Sequence, residues 1–307
     1  MNSTIVVEDV SRWYGDVVGL SSANLQLGPG VTGLLGPNGA GKSTLVRILS
    51  GQIQPSRGRV TVLGQPVWAN SPLMARVGYC PEGEAVYEGL TAAEFLVAML
   101  ALSGRRGPEA GRRARAVLEV VGLEPDDRRP MGAFSKGMRQ RAKLGQALLL
   151  DPEVLLLDEP LNGMDPLGRH ETIELVRRLG AEGRTVLVSS HILHEVEAMT
   201  QQVALMHHGK VLAHGDVHEI RDWIEDRAHA VRLRCADPHH LAARLIEIED
   251  VSGVRFASDA RVLVVETRRA DVFFARLTAL GGDADLAIDE VLPLDDDLQS
   301  VFEYLVR

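Results

Sequence analysis

Nine residues, "GPNGAGKST" from Gly36 to Thr44, have the composition of an anion cradle. Gly36, Gly41, Lys42 and Ser43 stand at the spacing G-x-x-x-x-G-K-S, after a short apolar run and before a helical one. Glycines let the backbone wrap so that successive N–H groups point inward, and the start of the following helix adds positive partial charge. Lys42 has the reach to touch the outer phosphates of a nucleoside triphosphate, and the Ser43 hydroxyl suits Mg2+. The bland alternative is a glycine-rich turn with an incidental lysine. The strand before and the helix after count against it.

"VLLLDEP", Val154 to Pro160, supplies the counterpart. Four apolar residues fit a strand buried on both faces. Asp158 at its carboxyl end suits the Mg2+ shell, and Glu159 is placed to orient or deprotonate an attacking water. Two acids ending a strand mean little alone. Downstream of the glycine loop they point to a P-loop nucleoside triphosphatase. A third stretch, "AFSKGMRQRAKLGQALLLDP" from Ala133 to Pro152, reads as a basic helix capped by Ser135, with Arg139, Arg141 and Lys143 on a solvated or nucleic-acid-facing surface. It holds no nucleophile, acid/base pair or metal cluster.

The totals narrow the partners. The chain has 307 residues and a net charge of −9, which disfavours a general affinity for nucleic acid or anionic lipid. Cys80 and Cys235 stand alone, so a disulfide framework or structural zinc is not expected and a reducing compartment fits. The N-terminal residues do not read as a secretion signal, and no apolar run reaches the roughly 18 residues of a membrane span. His207, His208, His239 and His240 lack ligand spacing, and Asp295–Asp297 reads as an acidic helix start.

The elements that must position these residues read as α/β. A strand is predicted within residues 3–15, with Ile5, Val7 and Val10 inward, and a second at Val31–Leu35. A helix follows from Lys42 to Ser50, then a strand at "RGRVTVLG". Thr91 to Leu150 is mostly helical. Strands return at "EVLLLD" and "RTVLVSS", and "QQVALMHHGKVLAHG" reads as a hairpin turning at His208-Gly209. After Gly215 a polar helical linker leads into a βαββαβ order closed by the helix "DDLQSVFEYLV". That order suggests a small α+β, ferredoxin-like domain. The expected boundaries are 1–218 for the first domain, with a helical subdomain at about 83–150, then a linker at 219–228 and a second domain at 229–307.

"GPNGAGKST", "FSKGMRQR", "LLLDEP", "NGMDP" and "SSH" occur in that order. Together they resemble the ATP-binding subunit of an ABC transporter, over about Ile5 to Gly215. "FSKGM" resembles the family signature LSGGQ in the variant form of the drug- and sodium-exporter branch, and the C-terminal extension is similar to one that many such members carry. The resemblance implies a P-loop ABC-type ATPase fold with an inserted helical subdomain, and ATP with Mg2+ as ligands. Tyr14 resembles the aromatic residue stacked on adenine, with Trp13 as its rival. Gly36, Pro37, Asn38, Gly39, Ala40, Gly41, Lys42, Ser43 and Thr44 match the phosphate loop. Asp158 matches the Mg2+-associated acid, Glu159 the catalytic base and His191 the switch histidine. Asp165 matches the loop that crosses to a second subunit, and Ser135 and Gly137 the part of the signature that faces the other copy's ATP.

Some positions depart from the family pattern. Glu82 in "GYCPEGEAVY" stands where the family usually has Gln; the resemblance implies contact with Mg2+ and water and a link to the membrane partner. Lys136 replaces a signature glycine and Met138 the glutamine, while Leu161 and Met164 are lesser changes. The implied partners are an integral membrane permease, one helix of which docks between Glu82 and the helical subdomain, and a second copy in a homodimer with ATP sandwiched between. No nucleic acid is expected. The implied location is the cytoplasmic face of the cell membrane. A soluble ABC ATPase acting on ribosomes or chromosomes is a rival reading, as is a regulatory subunit with weak hydrolysis. The single set of motifs and the short segment between loop and signature disfavour the former, and Glu82 keeps the latter open.

Overall fold

The apolar run Val154–Leu157 and the Asp158 that ends it form a strand buried at every position. The computed structural model describes residues 3–83, 86–222, 229–280 and 288–294. The chain divides into two compact units, Met1–Asp216 and Val217–Arg307.

The first unit opens with β1 (Ile5–Tyr14), β2 (Val17–Leu27) and β3 (Gly30–Leu35), followed by α1 (Lys42–Leu49). Then come β4 (Arg57–Val62), β5 (Gln65–Pro66), α2 (Ser71–Met74) and β6 (Val77–Cys80). The helices α3 (Ala92–Leu102), α4 (Pro108–Val120) and α5 (Lys136–Leu148) are consecutive. β7 (Val154–Asp158), α6 (Pro166–Ala181), β8 (Thr185–Ser190), α7 (Leu193–Glu197), β9 (Gln202–His207) and β10 (Lys210–Asp216) complete it.

Two sheets result. The order β2-β1-β4-β5 is antiparallel, and β10-β9-β3-β8-β7-β6 is parallel apart from the edge strand β10. The parallel sheet separates two cores. Val154 and Leu156 of β7 face the core shared with β1, β2 and α1, while Leu155 and Leu157 face the core of α3 to α6. A strand with a core on each side has no polar face to show, which is why its sequence does not alternate.

Three strands, β2, β5 and β6, were not expected from the sequence. The strand at Gly30–Leu35 is the third, because β2 lies before it. In β2 the buried Leu20, Ala23, Leu25 and Leu27 are interleaved with Ser, Asn and Gln, and register shifts against β1 break strict alternation. β6 spans only four residues, too few for a periodic signal. The helical stretch behaves as its pattern predicts. Thr91 and Glu94 form a capping box at the start of α3, and Phe95, Leu96, Val117, Leu118, Leu144 and Leu148 fill the space between α3, α4 and α5.

The second unit contains α8 (Val217–Asp222), β11 (His229–Cys235), α9 (Pro238–Ile246), β12 (Val251–Phe256), β13 (Val262–Thr267), α10 (Ala270–Leu280) and β14 (Ile288–Pro293). Its sheet is antiparallel in the order β12-β13-β11-β14. After α8 the elements follow the predicted βαββαβ order, around a core that includes Val231, Leu233, Leu245, Val265 and Phe273. Residues 223–228 of the expected linker and the expected last helix, with Asp295–Asp297, lie outside the described residues.

Candidate functional site

The loop between β3 and α1 has a shape only glycine permits at its ends. Gly41, the residue before α1, has φ +104°, and a Cβ there would sit 2.6 Å from the Gly19 carbonyl oxygen. A Cβ on Gly36 would sit 2.3 Å from the Met206 carbonyl oxygen. No side chain caps the start of α1, and its first turn holds no acid. The orphan N–H groups of that turn are therefore available to an anion. Lys42 is 7% exposed, and its Nζ donates to the carbonyls of Gly36 (2.6 Å) and Pro37 (3.3 Å). Burial lowers its pKa; the nearby Glu159, Asp158 and Glu82 carboxylates act the other way.

A cavity of ≈ 350 Å³ lies over this loop. Tyr14, Val17, Val18 and Gly19 line it from the antiparallel sheet, residues 37–44 from the loop and α1, and Glu82 and Glu159 from the strand ends. Tyr14 packs over Gly19, where a Cβ would meet its ring at 2.8 Å. Trp13 is not among the lining residues. Both aromatics are partly exposed, and only Tyr14 reaches the cavity.

The register of the parallel sheet brings the acids together. Asp158 pairs with Ser189 in the neighbouring strand. The Ser189 hydroxyl donates to Asp158 Oδ1 in a short bond and accepts the Glu159 N–H at 3.1 Å. Glu159 holds φ +49°, a strained backbone for a residue with a side chain. It is 8% exposed, and its Oε1 lies 2.9 Å from His191 Nδ1. Burial pushes the Glu159 carboxyl above its ordinary pKa; the His191 hydrogen bond and the charges of His191 and Lys42 oppose that shift, and Glu82 adds to it.

Glu82 follows β6, whose neighbour in the sheet is β7, so its loop emerges beside the acids. It lines the 350 Å³ cavity and also a larger one of ≈ 990 Å³, shared with Arg47, Gln52, Tyr79, Gln146 and Asn162. Gly36 to Thr44, Asp158, Glu159, His191, Glu82 and Tyr14 thus form one neighbourhood. Ser135, Gly137 and Asp165 do not line its cavity. Ser135 caps α5, accepting from Met138 N–H at 3.2 Å, and Asp165 caps α6 through Gly168 N–H at 3.3 Å. Gly137 lies against the segment 163–164, and the Lys136 stem covers Gly163.

Sequence reasoning missed three polar residues here. Ser189 organises both acids. The buried Gln140 donates from Nε2 to the Glu159 carbonyl at 3.4 Å. Lys143, expected on a solvated surface, is instead buried and holds the loop that carries Glu82. Their partners lie far away in sequence, so local spacing carries no signal for them.

A family profile described as ABC transporter matches residues 20–162. The chain is 33% identical, over 99% of its length and 96% of the relative's, to the daunorubicin resistance ATP-binding protein DrrA3 of Streptomyces coeruleorubidus. It belongs to the ABC transporter ATP-binding proteins. An uncharacterised ABC transporter ATP-binding protein of Synechocystis is 39% identical over 76% of this chain, which spans 66% of that relative's length. A solved structure described as the ATP-binding subunit of an ABC transporter superposes with a TM-score of 0.66 at 31% identity, covering 72% of this chain and 93% of the other. The protein is accordingly the ATP-binding and ATP-hydrolysing subunit of an ABC transporter. Among the described residues no helix is long and apolar enough to cross a membrane.

Proposed function

We propose that Gly36 to Thr44 hold the phosphates of ATP, that Tyr14 stacks on its adenine, and that Glu159 is the base that activates water. The observation that carries this reading is the pairing of an uncapped α1 start and Lys42 with a buried carboxylate held by His191, all at one cavity. Lys42 exchanges its carbonyl partners for phosphate oxygens when ATP enters. Glu159 takes a proton from water as the water attacks the γ-phosphorus, and ADP leaves as the β–γ bridging bond breaks. His191 orients the Glu159 carboxylate and contacts the γ-phosphate. Ser43, Asp158 and Glu82 offer a hydroxyl and two carboxylates, the oxygen donors a hard divalent cation prefers. Mg2+ bound there would neutralise charge on the transferring phosphoryl group.

Ser135, Gly137 and Asp165 serve the ATP of a second copy, which accounts for their placement away from this cavity. ATP then binds the closed dimer better than the open one, and hydrolysis releases it. The partner is an integral membrane permease that engages the larger cavity beside Glu82, on the cytoplasmic face of the membrane. The direction is export; the relative named for daunorubicin resistance and the variant signature "FSKGM" support it. The ATPase domain occupies 1–218, with α3 to α5 as its helical subdomain, and the linker at 219–228 leads to an accessory domain at 229–307.

Glu159→Gln tests the assignment. Turnover should fall by about 10²- to 10⁴-fold while ATP binding survives. Unchanged turnover in a steady-state ATPase assay removes Glu159 from the role.

A further inference from the structure

Lys143 sits near the middle of α5 and is 2% exposed. A buried ammonium is costly unless bonded, so its partners are informative. Its Nζ donates to three successive carbonyls: Pro81 at 2.9 Å, Glu82 at 3.3 Å and Gly83 at 2.7 Å. Three carbonyl oxygens aimed at one point repel each other, and a cation between them reverses the sign of that interaction. Lys143 therefore favours the loop conformation that brings these three carbonyls together. These three bonds all go to backbone carbonyls, and the exposed Glu82 side chain lines both cavities.

Gln140 lies three residues earlier on α5, on the same face of the helix. It donates to the Glu159 carbonyl at 3.4 Å and lies 3.8 Å from Cys80 Sγ, at the end of β6. One face of α5 is thus fastened to both acidic segments of the site. The same helix begins at Ser135 and Gly137.

We propose that Lys143 is the positioning residue for Glu82, and that it makes the Glu82 loop follow α5, the helix whose N-terminus carries Ser135 and Gly137. The inference rests on the reading above, in which Glu82 meets Mg2+ and water. It adds a route: a shift of α5 when its N-terminus engages a second copy's nucleotide is carried by one buried cation to the carboxylate at its own nucleotide.

A double-mutant cycle in the full-length protein tests it. Lys143→Met keeps the stem and removes the ammonium. It should lower kcat by about tenfold or more at saturating ATP and Mg2+, with the Kd for ATP measured without Mg2+ changed less than about twofold. Lys143→Arg, which keeps a cation, should recover part of the loss. Glu82→Ala alone should also lower kcat, and adding Lys143→Met to it should cost less than about twofold more. A neutral Glu82→Ala contradicts the role given to Glu82. A slow Glu82→Ala whose loss multiplies with that of Lys143→Met overturns the clamp alone, as does a Lys143→Met kcat within about twofold of the parent. If Lys143→Met does not fold, Lys143→Gln takes its place, and failure of both to fold overturns positioning in favour of a purely structural role.

Discussion

Glu159 combines burial, a strained backbone and one strong partner, and each has a consequence. Burial disfavours the carboxylate, so the side chain takes up a proton at higher pH than an ordinary glutamate. Only the ionised form can accept a proton from water. Turnover should therefore decline on the acid side from above the ordinary glutamate range. His191 opposes that shift, so His191→Ala should move the acid limb of the kcat–pH profile upward as well as lowering kcat. A limb that stays or moves down in His191→Ala contradicts the pairing. At this scale the linear motifs were legible because a phosphate cradle needs consecutive backbone groups. Ser189, Gln140 and Lys143 were not legible. Lys143 lies 60 residues from Gly83, and Gln140 lies 19 from Glu159, so only the fold brings these partners together.

At the scale of elements, β7 is the strand on which the site depends. Its alternate residues enter different cores, and its last residue is Asp158. Leu156 is fully buried beside Leu34 and Leu187 in one of those cores. Leu156→Ala should destabilise the unit that holds it by about 2–5 kcal/mol, read as a lower denaturant midpoint at unchanged slope. A loss under about 1 kcal/mol contradicts the two-core packing. The continuous apolar runs of β7 and β8 and the hairpin at His208-Gly209 were legible because burial on two faces and a tight turn each leave a compositional mark. β2 and β6 were hidden, one by polar residues and bulges at a sheet edge and the other by its length.

For the whole molecule, the proposed function gives one copy two separate half-sites. The phosphate loop, Glu82, Asp158, Glu159 and His191 share one neighbourhood, while Ser135 and Gly137 open a helix that does not line that cavity. The α/β class and the βαββαβ order of the second unit were legible from the alternation of elements. The partnership between half-sites was not, because nothing in a helix start capped by serine names its ligand; that expectation came from resemblance. The direct test is the ATP-dependent association of Glu159→Gln, which should bind ATP and turn it over slowly, followed by light scattering with and without Ser135→Arg. The expected result is an ATP-dependent dimer for the single variant, and for the double variant a monomer that still binds ATP. A dimer of undiminished affinity in the double variant would contradict it.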